Sequence, residues 1–349
     1  MTTLITDRPV CVTGAAGFIA AHLVADLLAR GYRVRGTVRD PQSDKYGFLR
    51  DFPGADDRLE LIGADLLDPP SFQDAVKDCE FVLHTASPYA LDVKDPQRDL
   101  VDPAVKGTRA VLEACAKEGG VRRVVVTSSM AAITDEPDSE RVLTEEDWND
   151  KSSLSRNPYY YSKTLAEREA WRFVEEHEPG FDLVTINPFL VIGPSLTPEI
   201  NQSNRVFIDL LTGAFPGIMS IHWGFVDVRD VARAHRLAME VPEAAGRYIC
   251  ANETKSMREV VELLREQGYG DYKLPKLGLD CAAGDFMAVL SSYFYPKGTG
   301  SYLRTHIGRT PQFDHTKIRQ ELGLEFIPVA DTIRDTTNDL IAWGHIPGR

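Results

Sequence analysis

Residues 12–20 read VTGAAGFIA, and this stretch decides the fold. It places Gly14 and Gly17 between a short apolar run and a helix-like segment, with the small Ala20 three residues further on. Glycine permits a tight turn and lets backbone N–H groups approach a diphosphate, which the N-terminus of the following helix attracts. An ordinary strand–turn–helix is the simpler alternative. The pattern predicts a dinucleotide-binding turn.

Outward from this turn, short apolar runs alternate with helix-like segments. Such alternation indicates β-α-β units, which form a parallel sheet covered by helices on both faces. We therefore predict an α/β fold, a Rossmann doubly wound parallel sheet with a smaller C-terminal α+β substrate-binding subdomain. The runs interpreted as strands are PVCVTG, YRVRGTV, LELIGAD, EFVLHTAS, VRRVVVTSS, FDLVTINPFLVIGP, GFVDV and GRYICAN.

The regular pattern loosens after Pro194, and this change sets the predicted domain boundaries. In the C-terminal part we expect helices at about 315–322 and 329–343, and we interpret SSYFYPKGTGSY (291–302) as a lid or a surface loop. The predicted dinucleotide-binding Rossmann domain comprises 1–193 with 225–252 returning to it, and the subdomain comprises 194–224 and 253–349.

Composition excludes several classes of protein. A formal net charge of −13 disfavours nucleic acid and anionic membranes as partners, since both reward clustered Lys and Arg. The five cysteines are widely spaced and the eight histidines form no ligand-spaced cluster, so neither a disulfide framework nor a metal site is indicated. Neither a leader-like N-terminus nor a membrane-length apolar run is found. A cytoplasmic, metal-free protein is expected.

The ends of the predicted strands indicate which dinucleotide is bound. The second strand ends in Arg39, where an NAD enzyme usually carries an acidic residue. A guanidinium suits a 2′-phosphate, and Lys45 adds a second positive charge, so we predict NADP(H). The alternative is a surface Arg39 paired with Asp40. Further strand ends that line such a crevice, or that form plain turns, carry Asp65, Thr85, Ala86 and Ser87.

Three consecutive tyrosines precede a lysine in NPYYYSKTLAE, residues 157–167. Only Tyr159 lies four residues before Lys163, and residues at this spacing share a helix face. The ammonium attracts a phenolate by roughly 3 kcal/mol at an effective dielectric near 20, which lowers the phenol pKa and makes Tyr159 an acid or base near neutral pH. The alternative is a surface contact. Tyr160 and Tyr161 are interpreted as packing or pocket-wall residues.

A strand that ends in serines precedes this helix by about 30 residues, in VVVTSSM. A hydroxyl at that position hydrogen-bonds a substrate carbonyl beside the phenol. The glycine turn, the strand-end serine and the Tyr/Lys helix, in this order, are specific only in combination. We therefore take them together as a candidate active site.

In these motifs the chain resembles the extended short-chain dehydrogenase/reductases, and specifically the dihydroflavonol-4-reductase-like group. That group includes plant dihydroflavonol and cinnamoyl-CoA reductases and microbial NADPH-dependent ketone and aldehyde reductases. The resemblance runs from about residue 10 to 326 and is carried by TGAAGFIA, VRGTVRDP, GADLLD, HTASP, DPAVKGTRAVLEA, RRVVVTSS, YYYSKTLAEREAW, TINPFLVIGP, FVDVRDVARAH and, more loosely, DHTKIRQELGLEF.

The resemblance implies a catalytic triad of Ser129, Tyr159 and Lys163. Tyr159 would protonate the carbonyl oxygen as hydride leaves the nicotinamide, Ser129 would polarise that oxygen, and Lys163 would bind the ribose hydroxyls and tune Tyr159. Ser129 is chosen over Ser128 because the family's active serine is the second of the pair. The implied NADP(H)-binding residues are Gly14, Gly17, Phe18, Ile19, Arg39, Lys45, Asp65, Leu66, Thr85, Ala86, Ser87, Tyr159, Lys163, Pro188, Val191 and Ser203.

Apolar residues near the expected mouth of the site are candidates for the substrate wall. An apolar wall with few polar anchors suits a hydrophobic or aromatic carbonyl compound, although each of these side chains fits plain core packing equally well. The candidates are Tyr89, Met130, Phe189, Phe207 and Trp223.

The predicted function is NADPH-dependent reduction of a hydrophobic or aromatic ketone or aldehyde to an alcohol. Alternatives are an acyl-CoA reductase of the cinnamoyl-CoA type, a sugar epimerase or dehydratase that retains NAD, and a non-catalytic NADP sensor. Arg39 disfavours the epimerase, and the combined triad disfavours the sensor. The expected partner is a small-molecule substrate, with no nucleic acid or membrane, in a monomer or a homodimer.

Overall fold

The structure is a computed structural model and describes residues 6–87 and 92–348. Its strands are β1 (Val10–Thr13), β2 (Val34–Val38), β3 (Leu59–Gly63), β4 (Phe81–His84), β5 (Arg123–Thr127), β6 (Val142–Leu143), β7 (Asp182–Pro188), β8 (Leu190–Ile192), β9 (His222–Asp227), β10 (Gly246–Cys250), β11 (Glu253–Ser256) and β12 (Gln312–Phe313). Its α-helices are α1 (Phe18–Ala29), α2 (Gly47–Arg50), α3 (Ala55–Arg58), α4 (Ser71–Val76), α5 (Asp102–Glu118), α6 (Pro158–His177), α7 (Gln202–Thr212), α8 (Val228–Glu240), α9 (Met257–Leu264), α10 (Ala282–Ser291), α11 (Lys297–His306), α12 (Thr316–Leu322) and α13 (Val329–Ala342).

Seven of these strands form one parallel sheet in the order β10-β7-β5-β4-β1-β2-β3. β1 and β4 read as continuous apolar runs because both faces of each strand are buried. The connections run outward in opposite directions from β1 and β4, so the strand order reverses there. In a doubly wound sheet, ligands bind at the carboxyl ends of the strands at this switch point. The predicted Rossmann sheet is confirmed.

The stretch FDLVTINPFLVIGP, interpreted from sequence as one strand, forms two. β7 belongs to the main sheet, whereas β8 pairs with β9 in a second, three-stranded sheet that β11 completes. Phe189 separates the two strands, immediately after Pro188. Proline cannot donate to a strand ladder, so the main-sheet pairing ends there and the chain crosses to the second sheet.

The C-terminal segment is more helical than the sequence suggested. The two predicted helices are present as α12 and α13. The surface-loop interpretation of residues 291–302 was wrong for its second half, which forms the start of α11. Gly300 lies inside this helix, where a Cβ atom would come within 2.3 Å of the Ser292 carbonyl oxygen. Glycine therefore serves close packing here rather than a loop.

Three further observations concern the same described residues. None of their helices has both the length and the hydropathy that a bilayer crossing requires. Within them, no cluster of three or more His, Cys, Asp or Glu side chains is arranged to hold a metal ion. The cysteines are all free thiols, and only Cys281 is exposed.

Candidate active site

A cavity of about 910 Å³ opens at the switch point of the main sheet. It extends across the carboxyl ends of β1, β2, β3 and β4. The sequence-predicted cofactor residues that line it are Gly14, Gly17, Arg39, Lys45, Asp65, Leu66, Thr85, Ala86 and Ser87. Residues that are distant in sequence thus converge on one crevice of a size that suits a dinucleotide.

The floor of this crevice is the glycine turn between β1 and α1. Gly14 has a φ of 65°, and a Cβ atom on it would lie 3.1 Å from the Cβ of Ala86. Its N–H donates to the Thr37 hydroxyl at 2.9 Å, and the N–H of Gly17 donates to the Gly14 carbonyl at 2.8 Å. A side chain at Gly14 would fill this cradle, so the turn fits the close approach of a diphosphate.

The ends of β1 and β4 are joined through the hydroxyl of Thr13. This oxygen accepts N–H groups from Thr85 at 3.1 Å and Ala86 at 3.0 Å, so its own hydrogen is donated to Nδ1 of His84 at 2.8 Å. Burial lowers the pKa of His84 to about 3, and the charge of Lys163 acts in the same direction. The imidazole is therefore neutral and fixes the strand ends without adding charge.

Two cations lie at the end of the crevice formed by β2 and the segment that follows it. Arg39 has a side chain that is 80% exposed, and its Nε is 3.7 Å from Oδ2 of Asp65. Asp65, rather than the sequence neighbour Asp40, is therefore the carboxylate beside Arg39. Lys45 Nζ lies 4.7 Å from the centre of the Tyr46 ring. Because an exposed ion pair is weak, a phosphate dianion can compete for Arg39.

The helix that carries the three tyrosines begins at a strained residue. Asn157 adopts a left-handed conformation with φ of 49°, and Pro158 follows as the first residue of α6. The side-chain amide of Asn157 donates to the Thr305 hydroxyl at 3.0 Å, and its backbone N–H donates to the Ser301 hydroxyl at 3.1 Å. Helix α11 thus fixes the point at which α6 starts.

Tyr159 and Lys163 lie one turn apart on α6, as the i,i+4 spacing predicted. Lys163 Nζ is 6.0 Å from the centre of the Tyr159 ring, and Lys163 is 8% exposed. Burial lowers the pKa of Lys163 to about 8, and the carboxylate of Glu167 opposes this shift. Below that pH the buried ammonium keeps its charge beside the phenol.

The other two tyrosines have different surroundings. Tyr160 meets the Tyr159 ring edge-on, with 6.0 Å between centroids, and its hydroxyl is 3.4 Å from Nε2 of His306. Tyr161 lines a separate cavity of about 540 Å³ together with Pro158 and Pro296. Their contacts agree with packing and pocket-wall positions.

The two serines after β5 differ in their hydrogen bonds. Ser128 is buried and its hydroxyl donates to the carboxylate of Glu167. Ser129 is half-buried, and its oxygen accepts the N–H of Ala131 at 3.1 Å, which leaves its own hydrogen to be donated. The Thr164 hydroxyl, next to Lys163 in sequence, donates to the Ala131 carbonyl at 3.3 Å, so this turn packs on α6. These bonds support Ser129 as the active serine.

Five other predicted cofactor residues lie in elements outside the lining of the crevice. Phe18 and Ile19 open α1 and pack partly against the main core. Pro188 ends β7, Val191 lies within β8 and is 7% exposed, and Ser203 is in the first turn of α7. None of these five is among the residues that line the 910 Å³ cavity, and neither are Ser129, Tyr159 and Lys163.

The substrate-wall candidates divide into three groups. Tyr89 lies outside the described residues. Met130 is buried in a small apolar cluster against which Phe189 packs. Phe207 and Trp223 are 0% and 5% exposed in the C-terminal core, where both rings contact Phe225. For Phe207 and Trp223 the structure favours the core-packing alternative.

Sequence reasoning missed other residues of the crevice. Thr37 bonds the glycine turn from within β2, and Trp343 reaches the cavity from just beyond α13. Thr37 could have been predicted from sequence, because it is a hydroxyl residue near the end of the second strand, two positions before Arg39. Trp343 carried no such signal, because its approach depends on how the C-terminal helix packs.

Comparisons with known proteins agree with this geometry. Residues 10–252 match the model of the NAD dependent epimerase/dehydratase family. Cinnamoyl-CoA reductase 1 of Petunia hybrida is 41% identical over 98% of this chain and 95% of its own. Tetraketide alpha-pyrone reductase 1 of Arabidopsis thaliana is 37% identical over 97% and 96%.

Solved structures give the same result. Yeast methylglyoxal/isovaleraldehyde reductase Gre2 complexed with NADPH superposes with a TM-score of 0.80 at 30% identity, covering 97% of this chain and 99% of Gre2. Vestitone reductase from alfalfa (Medicago sativa) gives a TM-score of 0.76 at 28% identity, over 97% of this chain and 100% of that one. The chain therefore belongs to the NAD dependent epimerase/dehydratase family, and it is a reductase of the extended short-chain dehydrogenase/reductase type.

Proposed function

We propose that this enzyme uses NADPH to reduce the carbonyl group of a hydrophobic or aromatic compound. The observation that carries the proposal is the buried Lys163 one helical turn from Tyr159. The turn that follows Ser129 packs on the same helix through the bond from Thr164 to the Ala131 carbonyl. The pair of Tyr159 and Lys163 supplies a proton donor and a charge to tune it at the same sheet edge as the dinucleotide-sized cavity. The resemblance to reductases over almost the whole chain supports the same reaction class.

NADP(H) is the cofactor, and the residues of the crevice fit it. The cradle at Gly14 fits the diphosphate, and Arg39 with Lys45 fits the 2′-phosphate. Lys163 would hold the nicotinamide ribose. When bound, NADPH supplies the hydride that the carbonyl carbon accepts.

The protein's own groups handle the carbonyl oxygen. Ser129 donates its hydroxyl hydrogen to this oxygen and orients it towards Tyr159. Tyr159 transfers its phenolic proton to the oxygen as negative charge develops there, so no free alkoxide forms. The ammonium of Lys163 stabilises the resulting phenolate until a solvent proton replaces the one transferred.

A thioester substrate is the second candidate, because a cinnamoyl-CoA reductase is 41% identical over 98% of this chain. Hydride addition to a thioester carbon gives a hemithioacetal. As its C–S bond breaks, the Tyr159 phenolate takes back the hydroxyl proton and a solvent proton reaches the leaving sulfur, which releases an aldehyde and a free thiol. The same three residues serve both substrates, and the released thiol distinguishes them.

We further propose that the substrate lies between the carboxyl edge of the main sheet and a C-terminal subdomain made of 194–224 and 253–349. Phe189 and Met130 are the wall residues retained in this proposal, and Tyr89 remains a sequence prediction. A cytoplasmic location and the choice between monomer and homodimer also stay predictions.

The test is NADPH oxidation at 340 nm with aromatic aldehydes, α-diketones, α-keto esters, a dihydroflavonol and a hydroxycinnamoyl-CoA. A thiol reagent is added in parallel to count released CoA. Turnover of free carbonyl compounds without release of a thiol supports the first candidate. Turnover of the thioester alone, with one thiol released per NADPH oxidised, supports the second. Tight NADPH binding with no turnover of any of these compounds would overturn the reductase proposal in favour of a sensor.

A further inference from the structure

Helix α6 carries an acidic residue that the reaction described above does not use. Glu167 lies one turn after Lys163, and its side chain is 0% exposed. A buried carboxylate is costly unless donors surround it. Here the donors to its two oxygens are the Ser128 hydroxyl, the Thr185 hydroxyl at 3.1 Å, the Asn187 amide at 2.8 Å, the Trp171 indole at 3.3 Å and the Arg247 guanidinium at 2.6 Å.

The cation of this cluster is itself held from several sides. Arg247 comes from β10, at the edge of the main sheet, and is 7% exposed. Its guanidinium carbon lies 3.9 Å from the centre of the Trp148 ring, and one of its nitrogens donates to the Glu145 carbonyl at 2.7 Å. The position of the carboxylate is therefore determined by a cation that is fixed independently of α6.

A buried ion pair of this kind is weak support for stability, because desolvation offsets most of its attraction. Its connections suggest a different use. The same carboxylate oxygen accepts from Ser128, which precedes Ser129, and from Asn187, whose amide also donates to the Ser129 carbonyl at 3.2 Å. One side chain thus joins the strand end that carries Ser129 to the helix that carries Tyr159 and Lys163.

We propose that Glu167 is a positioning residue that sets the place of Ser129 relative to Tyr159. The inference rests on the proposed function, since the purpose of that placement is to bring two donors to one carbonyl oxygen. Such alignment matters for rate because a displacement of about 1 Å at a reacting group costs on the order of 100-fold. A purely structural ion pair would affect folding and leave the rate per folded molecule unchanged.

The test compares Glu167→Gln with Ser128→Ala, a milder variant that removes one bond to the carboxylate. Trp171→Phe is the matched control, because it removes another bond to Glu167 but none on the path to Ser129. We expect Glu167→Gln to lower kcat about 10–100-fold and Ser128→Ala to lower it several-fold, with the Kd for NADPH within about twofold of wild type. The double variant Glu167→Gln, Ser128→Ala should lower kcat by less than the product of the two single-variant factors, because both substitutions act through one network.

Hydrogen–deuterium exchange of the peptide around 126–132 gives a readout that needs no substrate. It should become faster in Glu167→Gln and Ser128→Ala and stay unchanged in Trp171→Phe, while exchange in β1 is unaffected in all three. Unchanged exchange in both variants, or a normal kcat with lowered thermal stability alone, would overturn the inference. If the wild type reduced no carbonyl compound, the proposed function would fail while the exchange measurement still decided whether Glu167 places the strand end.

Discussion

The crevice formed by the ends of β1 to β4 and the C-terminal segment 253–348 are built on different principles. In the crevice, backbone geometry and short side chains at strand ends determine the local structure, as the contacts of Gly14 and Thr13 show. In the C-terminal segment, several large apolar side chains face solvent, and Phe286 and Phe294 are 70% and 90% exposed. The crevice is therefore shaped by short-range contacts at strand ends, whereas the other region leaves large apolar side chains without a close packing partner on their exposed faces.

The two regions meet at helix α6. Its first residues are held by α11 of the C-terminal segment through Asn157, and its later residues are held by the main sheet through Glu167. Tyr159 and Lys163 lie between these two attachments. The proton-transfer residues thus depend on both regions, and variants that separate their contributions test the comparison.

Among the tests of this comparison, the largest expected effect is a dependence of activity on pH. Burial lowers the pKa of Lys163 from 10.5 to about 8, so the ammonium is charged below that pH and neutral above it. The kcat/KM for NADPH should be level below pH 8 and then fall about tenfold per unit, roughly 100-fold by pH 10. Lys163→Arg keeps its charge over this range and should move the decline to higher pH. An unchanged decline in that variant would show that Lys163 does not set it.

The next largest effect concerns the choice of cofactor. Arg39→Ala should lower kcat/KM for NADPH about 10–100-fold, because a hydrogen bond between charged groups contributes roughly 1.5–3 kcal/mol. The kcat/KM for NADH should change by less than about threefold in the same variant. Arg258→Ala removes another exposed, paired arginine and serves as the control. Equal losses with both cofactors would contradict the assignment of Arg39 to the 2′-phosphate.

A glycine pair tests whether backbone geometry defines the crevice. Gly14 and Gly119 both have positive φ, of 65° and 71°, but only Gly14 has a neighbour near its missing Cβ atom. Alanine at either position should lower the free energy of unfolding by about 1–2 kcal/mol. Only Gly14→Ala should also weaken NADPH binding, by about tenfold or more, as measured by fluorescence titration. Normal binding by Gly14→Ala would remove the glycine turn from the cofactor site.

The smallest effect is expected in the exposed aromatic region. The double variant Phe286→Ser, Phe294→Ser should change the free energy of unfolding by no more than about 0.5 kcal/mol, because these side chains are largely solvated. Its kcat/KM for the best carbonyl substrate should stay within twofold of wild type. A tenfold rise in KM would break the comparison, since it would show that these two exposed aromatic side chains contact the substrate.

Sequence alone predicted the features whose causes are local. The glycine turn, the strand-end residues Thr85 to Ser87 and the spacing of Tyr159 and Lys163 each follow from a few neighbouring residues, and the structure places them as expected. The doubly wound parallel sheet also followed, because alternating strands and helices leave few topologies.

Features that depend on tertiary packing could not be predicted in this way. Three features depend on which segments pack against them. They are the break between two strands at Phe189, the helix that begins within 291–302 and the core position of Phe207. The approach of Trp343 to the cofactor crevice is of the same kind. An apolar residue has the same pattern whether it faces a pocket or a core, so the wall of the substrate site was the least predictable part.

The most direct test of the account is a single-turnover measurement with NADPH-loaded enzyme and its best carbonyl substrate, comparing Tyr159→Phe with Tyr160→Phe. Loss of the general acid should slow reduction about 10²–10⁴-fold in Tyr159→Phe, with the Kd for NADPH within about twofold of wild type. Tyr160→Phe should stay close to the wild-type rate. Wild-type turnover by Tyr159→Phe, or an equal loss in both variants, would contradict the assignment of Tyr159 as the proton donor.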